Sequence, residues 1–169
     1  MKCPACSAIV TLVIIGCSST NAPSHPAGLP LRYQNTRYDL TFFLPADWQG
    51  YSVLNQQWDA PLHSADYQEV VGNERGPIIV FRNPQWKADR PYQDIPVMVF
   101  TRRQWDALHN GRFFPYAGGI IGEAWHNREY VFGIYSRYNV DDSIGGWEEA
   151  DEILERNFAA HTAPRLYAQ

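Results

Sequence analysis

The hydrophobic pattern is densest between Gln93 and Gly111, in QDIPVMVFTRRQWDALHNG. Ile95, Val97, Met98, Val99 and Phe100 make a run too continuously apolar for a strand wetted on one side. It predicts a strand covered on both faces, with Pro96 at its start because proline cannot donate to a ladder. Thr101 and Gln104 stand in the capping-box relation, so a helix is expected to follow at once. Trp105 and Leu108 fall on one face of that helix, and Gly111 is its left-handed stop.

Upstream, Tyr38, Leu40, Phe42 and Leu44 alternate with Arg37, Asp39 and Thr41, which predicts a half-buried strand ended by Pro45. A second strand is expected from Tyr51 to Trp58, antiparallel to the first across the turn PADWQG. Residues 59–76 are polar and weakly periodic and read as a long excursion, followed by a third strand from Ile78 to Arg82. Residues 83–94 form a loop rich in proline and charge that carries Trp86 and Tyr92. Downstream, Ile120 to Trp125 and Glu129 to Tyr135 predict a hairpin turning at His126 to Arg128. The last element is a helix with Trp147, Ala150, Leu154 and Phe158 as its apolar stripe and Ile153 alongside. Glu148, Glu149, Asp151, Glu152 and Glu155 lie on its solvated side, and Arg156 near its end suits the helix dipole.

A buried strand feeding a capped amphipathic helix implies a layered core, here α+β with an antiparallel sheet between helical layers. With no internal repeat and no second linker, residues 31–169 are expected to form one domain.

The start of the chain reads as an address. Lys2 is a minimal basic region, Ala8 to Ile15 are apolar but too short a run to span a bilayer, and Gly16 is a small residue at a cleavage point. The tetrapeptide IIGC at residues 14–17 resembles the lipobox of bacterial lipoproteins. The resemblance implies a signal peptide over residues 1–16 and lipid on Cys17, with residues 17–30 as lipidated cysteine and Pro-rich tether. Ser18 after that cysteine resembles patterns that sort to the outer membrane, facing the periplasm.

Composition narrows the reading. Cys3, Cys6 and Cys17 are the only three cysteines, so a chain cleaved before Cys17 has no thiol to pair, and the C-x-x-C of the leader has no second pair to make a metal site. About 150 residues remain, enough for a sizeable core. The net charge of −4 argues against nucleic acid as a partner.

The strand followed by LPADW, and the closing ADEILERNF, resemble the opening and terminal helix of PsbP-like domains. That resemblance implies an α/β/α sandwich and carries over no catalytic residue.

Chemistry is sparse. There is no G-x-S-x-G, H-E-x-x-H, Walker or G-x-G-x-x-G motif, and no cofactor or metal is expected. Gly118, Gly119 and Gly122 read as packing relief or a bulge. His25 lies in the tether and His161 in the tail, while Glu123 and His126 are spaced as opposite ends of a strand and turn rather than as a bonded pair. One constellation stands out: Arg82, Trp86 and Asp94 around the long loop, and Arg137 and Tyr138 after the last strand. Arginine with tryptophan or tyrosine supplies planar contact area and donors suited to recognition, and an arginine–Asp94 pair would equally pin the loop to the sheet. The chain thus reads as a lipid-anchored cell-envelope binding or accessory module, held at the membrane through Cys17 and facing an envelope protein or small ligand. The alternative is a small envelope hydrolase using Asp94 with an arginine.

Overall fold

The computed structural model describes residues 30–115, 121–135 and 144–162. In chain order these form β1 (Leu31–Asn35), β2 (Leu40–Leu44), a 3-10 turn (Ala46–Trp48), β3 (Ser52–His63), β4 (Val70–Arg82) and β5 (Ile95–Thr101). They continue with α1 (Arg102–His109), β6 (Ile121–His126), β7 (Tyr130–Tyr135) and α2 (Trp147–Thr162). A five-stranded antiparallel sheet has the order β3-β4-β5-β7-β6, and β1 and β2 pair antiparallel in a separate sheet.

Alternation along the central strands builds two cores. Ile79, Phe81, Ile95, Val97 and Val99 point to one side, where they meet Leu40, Phe42 and Leu44 of β2, Trp48, and Ala150, Ile153 and Leu154 of α2. Ile78, Val80, Met98 and Phe100 point to the other side, against Trp58, Trp105 of α1 and Phe113. This two-sided burial is what the unbroken apolar run of β5 encodes, and its Thr101–Gln104 capping box forms as the spacing predicts.

The α/β/α sandwich with helical layers is not the architecture. The sheet is antiparallel as expected, but strand dominates. β3 and β4 are 12 and 13 residues long and run on through the supposed excursion. Among the described residues, the helical cover on one face is α1 alone, 8 residues long, and on the other α2 shares the cover with the β1–β2 sheet. One strand pairing and one helix face also differ. β2 pairs with β1, not β3, because the 3-10 turn carries the chain from one sheet to the other. The buried row of α2 is Ala150, Ile153, Leu154 and Asn157, leaving Trp147 and Phe158 exposed at its margins.

The β4–β5 ladder stops at Ile78, paired with Met98. Continued by one step, the register would set Pro77 opposite Val99, and proline has no N–H to give. The Val99 carbonyl instead accepts from the Trp58 indole at 3.3 Å. The indole reaches it by lying flat over Gly76, its cross-strand partner, where an added Cβ would come within 2.5 Å of the ring. Beyond this point β3 and β4 continue as a two-stranded arm.

Candidate functional site

Of the constellation read from the sequence, the structure brings Arg82, Trp86 and Asp94 together. Arg82 ends β4 and Asp94 precedes β5, so the two strands deliver the ends of the long loop side by side. The guanidinium grips the carboxylate with two parallel bonds, Nε to Oδ1 at 3.0 Å and Nη2 to Oδ2 at 2.7 Å. The guanidinium carbon also lies 3.9 Å from the centre of the Trp86 ring, a cation–π contact. The bond to Asp94 holds the Arg82 pKa above its ordinary value. Both carboxylate oxygens of Asp94 thus accept from Arg82 and tie the loop to the sheet. Cys17, Arg137 and Tyr138 lie outside the described residues, as do Gly118 and Gly119.

The same loop is held a second time. The Tyr92 hydroxyl donates to Glu149 Oε2 at 2.8 Å, while Glu149 Oε1 accepts from the Trp48 indole at 2.9 Å. Burial, and then the bond to Glu149, push the Tyr92 pKa up to about 12. Glu149 therefore joins the loop, the 3-10 turn and α2, and is not part of a merely solvated face. Glu123 and His126 are likewise bonded to each other, contrary to their sequence reading, because a bulge between Glu123 and Trp125 bends β6. His161 belongs to α2 and stacks on Trp125 with ring centres 4.7 Å apart. Among the described residues no cluster of three or more His, Cys, Asp or Glu is placed to share a metal ion.

A second surface, which sequence reasoning passed over, lies at the far end of the β3–β4 arm. Tyr67, Val70 and Val71 are 44, 62 and 53 % exposed there, and Phe114, two residues past the Arg112 that bonds His63, is 60 % exposed. The turn that carries Tyr67 is built rigidly. Ser64 Oγ donates to Asp66 Oδ1 at 2.6 Å and accepts from Glu69 N–H, Asp66 Oδ1 accepts from Gln68 N–H, and Tyr67 N–H donates to the Ser64 carbonyl. Tyr67 itself has a φ of 62°, a left-handed conformation unusual for a bulky side chain. Its ring stacks on His63 at 5.2 Å, and its hydroxyl lies where a Cβ on Gly111 would meet it at 2.9 Å. Arg112 holds the far end of the arm: its carbonyl accepts from His63 N–H and its Nε donates to the His63 carbonyl. The sequence signal was Ser64 and Asp66, short polar side chains that accept from the backbone N–H groups of Glu69 and Gln68 in the turn.

The arm is also clasped to α1. Glu74 is 6 % exposed, and its carboxylate accepts from Gln104 Nε2 at 2.9 Å and Arg103 Nη2 at 3.0 Å. Burial alone would raise the Glu74 pKa, but the bonds from Arg103 and Gln104 outweigh it and leave the group below the ordinary glutamate value. Gln104 Nε2 donates further to the Arg75 carbonyl at 3.0 Å, so the capping residue of α1 also holds the arm.

The chain matches no protein-family model, no curated protein and no solved structure.

Proposed function

We propose that the chain is a lipid-anchored cell-envelope module that works by binding an envelope protein, with the far end of the β3–β4 arm as its recognition surface. The observation that carries this reading is the Tyr67 turn, an exposed aromatic held in a strained backbone by hydrogen bonds among its own residues. A side chain fixed before binding loses little freedom on binding, and tyrosine is a favoured anchor at protein interfaces. Val70, Val71 and Phe114 add exposed apolar area. Lipid on Cys17, read from IIGC, would keep the module at a membrane surface, and residues 18–30 give it reach.

Two measurements test the reading separately. Metabolic labelling with a fatty acid analogue is expected to mark the wild type and not Cys17→Ser; unlabelled wild type removes the anchor. A photocrosslinking side chain at Tyr67, in cells, is expected to yield one dominant adduct that Phe114→Ser and Val71→Ser weaken while the melting temperature stays within about 3 °C. An adduct pattern no different from a crosslinker placed at Lys87 on the long loop removes the recognition surface.

A further inference from the structure

Among the described residues the five-stranded sheet has two unpaired margins, and they are not built alike. β6 is a protected edge, since it carries the charged Glu123 and a bulge between Glu123 and Trp125. β3 is not. From Ser52 to Trp58 it reads SVLNQQW, without charge, proline or bulge, and its irregularity comes only at Leu62/His63. Among the described residues, the β3 backbone from Ser52 to Leu62 is bonded to β4 alone. A strand paired on one side leaves every second N–H and C=O pointing outward.

Such a row of outward amides accepts one kind of partner, another extended strand. We propose that β3 pairs with β3 of a second copy of this chain, antiparallel about a two-fold axis near Asn55, joining two sheets into one of double width. The segment is self-complementary in the way a two-fold interface requires. An axis at Asn55 sets Val53 opposite Gln57 and Leu54 opposite Gln56, and places Asn55 opposite itself, where a carboxamide can both donate and accept. No like charges meet. Val53 and Leu54 are half-buried on opposite faces, Val53 against the α2 side and Leu54 against the α1 side, so a neighbouring strand would cover the flank of each. The charges of the arm, Asp59 with Arg75, begin only past Trp58. This pairing stands independently of lipidation and of the Tyr67 surface.

The test uses the full chain carrying Cys3→Ser, Cys6→Ser and Cys17→Ser, so that neither acyl chains nor native thiols join copies. Sedimentation velocity is expected to show a doubled mass at concentrations up to roughly 100 μM. Asn55→Lys returns the chain to monomer with an unchanged circular dichroism spectrum, and mixing Asn55→Lys with Asn55→Glu restores the doubled mass. Under mild oxidation Asn55→Cys forms a linked dimer, whereas Gly122→Cys on β6, where a side chain meets open space, does not. A wild type that remains monomeric throughout this range, or an Asn55→Lys variant that keeps the doubled mass, overturns the proposal. So does crosslinking of Asn55→Cys in membranes to a different protein, which would assign the edge to that partner.

Discussion

Asn157 on α2 holds both backbone polar groups of Phe43 on β2. Its Oδ1 accepts from the Phe43 N–H at 2.8 Å, and its Nδ2 donates to the Phe43 carbonyl at 2.8 Å. A carboxamide carries the same donor and acceptor as a peptide group, so this side chain stands where a third strand beside β2 would stand. It is fully buried, and its Nδ2 also reaches the Ile153 carbonyl one turn back. Asn157→Ala leaves two buried main-chain groups unpaired and is expected to cost about 2–4 kcal/mol in urea unfolding. A loss under about 1 kcal/mol would mean that water replaces the side chain there.

Gly76 and Gly72 lie on the same strand and offer a paired test. A methyl at Gly76 would sit 2.5 Å from the Trp58 ring, whereas one at Gly72 meets nothing within 4 Å. Gly76→Ala is expected to lower stability by about 2–3 kcal/mol, and Gly72→Ala to leave it unchanged or raise it by a few tenths. Equal thermal shifts for the two would refute the placement of the Trp58 indole across β4.

The Arg82–Asp94 grip makes a similar claim on the long loop. Arg82→Ala or Asp94→Ala removes half of a partly buried pair and is expected to destabilise by about 1–3 kcal/mol. The double variant should cost less than the two singles added, because each single already breaks the same bonds. Additive losses in that cycle would show that the two side chains act separately.

Tyr92 sets an alkaline limit. Its folded pKa of about 12 exceeds the ordinary value of 10.0. The raised value means that the neutral phenol is the form the fold favours. Its contribution is complete below pH 10 and disappears as pH rises through about 12. Tyr92→Phe should therefore flatten the loss of stability across that window, at the expense of the bond to Glu149 at neutral pH. An unaltered alkaline unfolding curve would show that another group sets the limit.

How much could be read in advance follows from where each interaction lies along the chain. The capped helix α1 and strand β5 were legible because Thr101 and Gln104, and the run from Ile95 to Phe100, interact locally or are buried uniformly. The β6–β7 hairpin was legible for the same reason, although Asn127 does more than turn it: its side chain donates to the Tyr38 carbonyl at 2.8 Å and ties the hairpin to the β1–β2 connection. β1 was missed because LRYQN has little pattern of its own and becomes a strand through pairing with β2. The arm was missed because the alternation of Trp58, Ala60 and Leu62 in β3 is interrupted by Pro61 and is answered in β4 by Gly72, Glu74 and Gly76 rather than by apolar residues, so only the pairing of residues 58–63 with 70–76 makes it strand. Within the constellation, an arginine partner for Asp94 was legible but not which of Arg82 and Arg137 it would be, while the Tyr67 surface escaped because its meaning lies in a backbone angle.

The ladder gap at Pro77 divides the β3–β4 hairpin into regions with different opening energies. From Ser52 to Gln56, β3 lies beside strand segments continuous with β5, whereas from Trp58 outward, among the described residues, β3 and β4 have no third strand beside them. Native-state amide exchange should resolve this as a separate cooperative unit, in which residues 59–75 exchange by local opening and Ile79 to Phe81 exchange only with the whole protein. The Glu74 clasp to α1 couples that unit to acidity. Because the folded pKa of Glu74 is depressed, the clasp is intact above the ordinary glutamate pKa and is lost as pH falls through the lowered value. Acid should thus loosen the arm at α1 first, leaving its far end held by Arg112 and the central strands closed.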